Sequence, residues 1–234
     1  MLAIFFAALS LSHLGLLVWS LRQPSIGLPI WFLRCLLLAL ALDNMVIALA
    51  PLLLESPVYG VMSMMRFWIH AILLPGLLVF AAYLLQRYVA SERIRVWLPR
   101  LGWALAIIAI TYGYVFELAP LELVVADYYP RMISADSQPP LATIAVNLLV
   151  IVAGIWLWRV AQWPWLFAGA LQIFLVNGAS AGLEWAFIVG NSAELLFALS
   201  LLATLAHIQK DATSNVDDRS GDSQAAMAAE LRGN

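Results

Sequence analysis

The chain has 234 residues, 64% hydrophobic and 11% charged, with a formal net charge of −2 and a mean hydropathy of +0.91. Soluble domains lie near half apolar and a quarter charged, so this composition excludes an ordinary soluble domain. No basic stripe points to a nucleic-acid partner, and the lone Cys35 cannot form an internal disulfide, which leaves the redox compartment open.

A membrane-spanning helix needs about 20 apolar residues. Seven segments meet this need, near 2–20, 29–53, 60–86, 101–118, 141–158, 164–189 and 192–210. The first has no cation before its apolar run and no small-x-small cleavage pattern before Arg22, so it reads as a membrane helix and not as a signal peptide. The second and third are joined by Leu54–Tyr59 and must pack as neighbours. The third carries Pro75, which frees a carbonyl and favours a kink. Between the fourth and fifth lies the longest loop, 119–140, with Glu122, Asp127, Tyr128, Tyr129, Arg131 and Asp136. Its apolar run Leu121–Val125 suits a surface segment or a lid over the bundle. The sixth and seventh segments are hard to separate. Gly190-Asn191-Ser192 offers a turn, with Asn191 as N-cap and Glu194 closing a capping box; a break at Asn177-Gly178 is the competing choice. The polar stretch 211–234, acidic at Asp217-Asp218, reads as a disordered tail in which 223–231 has the pattern of a short helix.

Loop charge sets the expected orientation. Arg87, Arg93, Arg95 and Arg100 crowd the third loop, Arg22 the first and Arg159 the fifth, while the alternate loops are poor in cations. The positive-inside rule then puts the N-terminus outside and the C-terminus in the cytoplasm. Trp19, Trp31, Trp97, Trp103, Trp156, Trp158, Trp163 and Trp165 fall near the same inner interface, where amphipathic rings anchor. The expected fold is therefore an all-α polytopic bundle of seven transmembrane helices over residues 1–210, in the cell membrane. No inverted repeat of the transporter kind stands out.

A charge at mid-membrane costs about 2.5–3.5 kcal/mol on insertion scales, so ionisable residues inside the apolar segments mark the candidate site. They are Asp43, Arg66, His70 and Glu184, with Asn44 and Asn177 beside them. Counted from the outer helix ends, Asp43 and His70 both lie about 15 Å deep. Arg66 is one turn from His70 on the same face. Asp43 and His70 are the expected acid/base pair, and Asn44, Arg66, Asn177 and Glu184 the expected ligand-binding groups, around a water-accessible pocket in the outer half. The bland alternative is an Asp43–Arg66 clamp that fixes helix register. His13 reads as structural, His207 as solvated, and Asn147 as interhelical glue.

Several chemistries are excluded. No lysine precedes Lys210, so a retinal Schiff base has no attachment point. HExxH, Gly-x-Ser-x-Gly and P-loop patterns are absent. Asp43, His70 and Glu184 match metal ligands in type, but their spacing gives no support, so neither a metal nor another cofactor is expected. A one-sided pocket favours a protein that binds or processes a lipid or isoprenoid-type ligand, with membrane lipids as partners and the oligomeric state open. The alternatives are a small cation or proton-linked transporter, and a structural protein without a site. On the second, Leu42-Asp43-Asn44-Met45-Val46-Ile47-Ala48-Leu49 resembles the Asp-Asn helix of the TerC-type membrane proteins, which implies metal-ion export. The resemblance covers one helix, and that family's second acidic helix has no counterpart.

Overall fold

The computed structural model describes residues 1–23, 27–135 and 139–232, with side chains in the last helix described to Asp211. Asp136 and the side chains of Asp217, Asp218 and 223–231 lie outside the described residues. The helices are α1 (Leu2–Leu21), α2 (Gly27–Leu53), α3 (Pro57–Leu73), α4 (Gly76–Leu85), α5 (Glu92–Tyr112), α6 (Leu141–Ala161), α7 (Trp165–Ser180) and α8 (Ala186–Arg232). A π-turn, Gly113–Leu118, extends α5. Among the described residues the regular structure is helical apart from one two-stranded hairpin, β1 (Leu123–Val125) and β2 (Met132–Ser134), paired antiparallel with Val124 opposite Ile133.

Six helical stretches are long and apolar enough to cross a membrane: 2–21, 27–53, 57–88, 92–118, 141–161 and 186–211. Helix α7 is apolar but has only 16 residues, about 24 Å of helix against a hydrocarbon core of about 30 Å. The outside of the bundle is greasy, as suits a membrane protein: Trp31 and Trp97 are more than half exposed, as are Ile107 and Val152.

Two helix breaks shape the site. Pro75 has no N–H to donate and crowds the carbonyl one turn back, so α3 stops at Leu73 and α4 restarts at Gly76. The sequence reading makes a second break at Gly190–Ser192, and this is incorrect. The chain turns at 181–185, where Gly182 takes φ +80°, a left-handed conformation that suits glycine. Asn191 is no cap; it lies inside α8 and its Nδ2 donates to the Phe187 carbonyl at 2.7 Å. The competing break at Asn177–Gly178 is also displaced, since α7 runs through both residues.

Helix α1 packs along α2, α7 lies between α6 and α8, and α4 packs on α5. At Gly154 the absence of a side chain lets α6 approach the Phe167 backbone of α7, where an added Cβ would come within 2.7 Å. The main core joins Leu33, Leu37 and Leu40 to Leu77, Phe80, Leu84, Leu157, Leu166, Leu201 and Leu202. A smaller cluster, with Phe6, Ile47, Tyr59 and Tyr129, sits under the hairpin. The bundle thus has a hairpin end and an arginine end, the latter at the α4–α5 connection.

Candidate functional site

Helix α3 presents Tyr59, Ser63, Arg66 and His70 at spacings of four, three and four residues, which is one face of a helix. That face turns inward: Tyr59 and Ser63 are fully buried. Arg66 crosses to α2, and its Nε donates to Asp43 Oδ1 at 2.6 Å. The second guanidinium contact, Nη2 to Asp43 Oδ2, is longer at 3.5 Å. The α2–α3 hairpin therefore brings together Asp43, Arg66 and His70, as the sequence predicts.

His70 is held from both sides. Its Nδ1 lies 3.0 Å from the Arg66 carbonyl and 3.8 Å from Asp43 Oδ1. Its Nε2 lies 3.7 Å from Glu194 Oε1 on α8. Asp43, His70 and Glu194 thus each offer a ligand atom, and these atoms lie within 4.8 Å of one another. On α1, fully buried His13 faces the same charges: its Nδ1 lies 2.9 Å from the Leu9 carbonyl, and it couples electrostatically to Glu194 and Asp43.

Buried atoms without a hydrogen-bond partner surround this cluster. They include Glu194 Oε2, His13 Nε2 and the side-chain oxygens of Asn44, Asn147 and Asn191. The amide nitrogens of Asn44 and Asn191 already donate to the Leu40 and Phe187 carbonyls. The unmet groups near the cluster are thus mostly acceptors. A buried acceptor without a donor costs roughly 1–3 kcal/mol, and water or a cation satisfies it. A cavity of about 70 Å³ adjoins the cluster, with Glu194, Thr143, Asn147 and Asn177 among its lining residues. A few waters fit such a volume. Leu36, Leu77, Val150 and Leu201 form its apolar lining.

The hairpin covers the other side. Tyr129 Oη donates to the Ile47 carbonyl at 3.3 Å, and its ring stacks with Phe187, which also stacks on Phe6. The Arg131 guanidinium sits 3.6 Å from the Phe187 ring centre. Burial, and then the charge of Arg66, pull its pKa below the ordinary arginine value. Arg131 Nη1, Tyr59 Oη and Ser63 Oγ are all buried without a closed hydrogen bond. It is the turn of this loop, through Tyr129, and not its apolar run that packs on the bundle: Val124 and Val125 of the run are exposed.

The remaining predicted site residues divide. Asn44 is buried beside Asp43. Asn177 lies on α7 and reaches the cavity, with its Oδ1 3.0 Å from where a Cβ on Gly190 would sit. Glu184 is exposed in the 181–185 turn, apart from the cluster, because the helix break falls there and not at Gly190. Glu194 takes the place given to Glu184, and it is no capping partner. Glu117 accepts from the Ala142 N–H at 3.0 Å and caps α6. His207 is not simply solvated: it stacks on Trp163 at 4.0 Å and lies 3.3 Å from Asp211. Sequence reasoning gave Glu194 a capping role and His13 a structural one, and did not bring either to the cluster. The available signal was depth: from a helix start at Ala186, Glu194 lies about 12 Å down, near the level of Asp43. No family model matches the chain, and no curated protein or solved structure is similar to it.

Proposed function

We propose that this protein is an integral membrane carrier for a small divalent cation, bound by Asp43, His70 and Glu194. The carrying observation is that three helices deliver one imidazole and two carboxylates whose ligand atoms lie within 4.8 Å of one another. Mixed nitrogen and oxygen donors suit first-row divalent ions such as manganese and zinc. His13 and the unmet amide oxygens around the cluster supply further donors. A bound cation competes with Arg66 for Asp43, so Arg66 must release or share that carboxylate. Two features support a carrier. The cluster is covered by the hairpin on one side and by leucines on the other, and the neighbouring helix is broken at Pro75, one turn past His70.

On this reading all seven segments span the membrane, α7 included. The hairpin end faces outside and the arginine end the cytoplasm of a cell membrane, as loop charge requires. The lipid-processing reading has less support, because a 70 Å³ cavity admits water but no acyl tail. Proteoliposomes loaded with a manganese-quenched or zinc-responsive dye test the proposal. Uptake should depend on the protein and vanish in Glu194→Gln at unchanged reconstitution. Cation flux equal to that of empty vesicles would overturn it.

A further inference from the structure

The arginine end holds a second recess, independent of the cation cluster. It has a volume of about 880 Å³ and lies between the end of α4, the first turns of α5 and α8. That volume falls within the range of small-molecule sites, about 300–1,000 Å³. Arg87, Arg95 and Arg100 all line it, and Asp211 is the one acid among its described lining residues. Asp211 is already engaged by His207 at 3.3 Å, and Arg95 meets Glu92 only at 3.6 Å across exposed surface. Exposed ion pairs of that kind contribute little, so three guanidiniums face the recess with positive charge in excess. The walls between them are apolar and aromatic: Val96, Pro99, Trp103 and Ile208. Arg100 lies 4.9 Å from the ring centre of the more than half-exposed Trp97. The recess therefore combines cations for a phosphate diester with a greasy wall and the aromatic residues that anchor at the membrane–water interface.

We infer that this recess binds an anionic phospholipid. Arg87, Arg95 and Arg100 take the headgroup phosphate, and the wall formed by Val96, Pro99 and Ile208 receives the glycerol and upper chains. Basic pockets between membrane helices on the cytoplasmic side are suited to such headgroups.

The full chain, purified in neutral detergent, tests this by native mass spectrometry against phosphatidylglycerol, phosphatidylcholine and inorganic phosphate. Phosphatidylglycerol adducts should survive at least tenfold better than phosphatidylcholine adducts. Replacing Arg87, Arg95 and Arg100 together by Gln should remove that preference, and Arg159→Gln, a cation outside the recess, should keep it. Val96→Trp fills the recess while leaving every arginine in place; it should also remove the preference, which keeps the test open if the triple variant expresses poorly. Equal retention of the two lipids, an unchanged preference in either recess variant, or full displacement of the lipid by an equal concentration of inorganic phosphate would overturn the inference.

Discussion

The two halves of this bundle solve the same solvent problem differently. Toward the arginine end, leucines from α2, α4, α6, α7 and α8 fill the interior, and the buried polar side chains there, such as Arg34, Ser200, Thr204 and Gln209, include no carboxylate among the described residues. Toward the hairpin end, Asp43, Arg66, His70, Glu194 and His13 meet in the interior, with buried oxygens left unmet around them. Lipid gives helices little reason to associate by hydrophobicity alone, so the leucine half relies on close packing, as at Gly154. The polar half relies on charge pairing and carries unmet hydrogen-bonding capacity. Such a cluster, at about 2.5–3.5 kcal/mol per mid-membrane charge, is a cost that the leucine half does not carry to the same degree.

Breaking the contrast at its strongest point should have the largest effect. Asp43→Ala leaves Arg66 buried without its partner and should cost about 3–5 kcal/mol, read as denaturant unfolding in micelles. The double change of Asp43 and Arg66 to Leu should recover most of that stability while cation binding stays lost. If the double variant is no more stable than Asp43→Ala, the charge-pair account fails. In the leucine half, Leu157→Ala, a fully buried position outside the cavity lining, should cost less, about 2 kcal/mol, because lipid replaces water as the competing environment. It should leave cation affinity within twofold, so a tenfold loss would show the halves to be coupled.

Changes to the lid should be smaller again. Arg131→Ala removes a cation–π contact of about 0.5–2 kcal/mol and should speed thiol labelling of a cysteine placed at Ser63 from the hairpin side. Unchanged labelling would mean that the hairpin does not cover the inward face of α3. Glu184→Gln should be nearly silent, within about 0.5 kcal/mol, with unaltered cation binding. A large effect on binding would restore the site membership that its exposed turn denies it.

The helical architecture was largely legible because long apolar runs leave the backbone one way to satisfy its hydrogen bonds in lipid. Asp43, Arg66 and His70 were legible for a related reason: a tight α2–α3 connection forces neighbouring helices to pair their charges. Glu194 was not legible. Its capping pattern with Asn191 is a local signal, whereas its real position depends on where the previous turn falls. That turn falls at Gly182, which adopts positive φ, and not at either of the breaks read from the sequence, Gly190-Asn191-Ser192 and Asn177-Gly178. His13 was read as structural because no acid lies near it in sequence; the charges it faces come from α2 and α8. The loop was visible as an apolar surface segment or lid, but its docking rests on contacts of Tyr129 and Arg131 with Ile47 and Phe187 that no local pattern encodes.

The most direct measurement is calorimetric titration of the purified protein with Mn²⁺ and Zn²⁺, compared with Glu194→Gln. Saturable binding near one ion per chain, weakened at least tenfold by the substitution, is the predicted result. No binding of either ion, or equal affinity in the two proteins, would contradict the assignment of Asp43, His70 and Glu194 as a cation site.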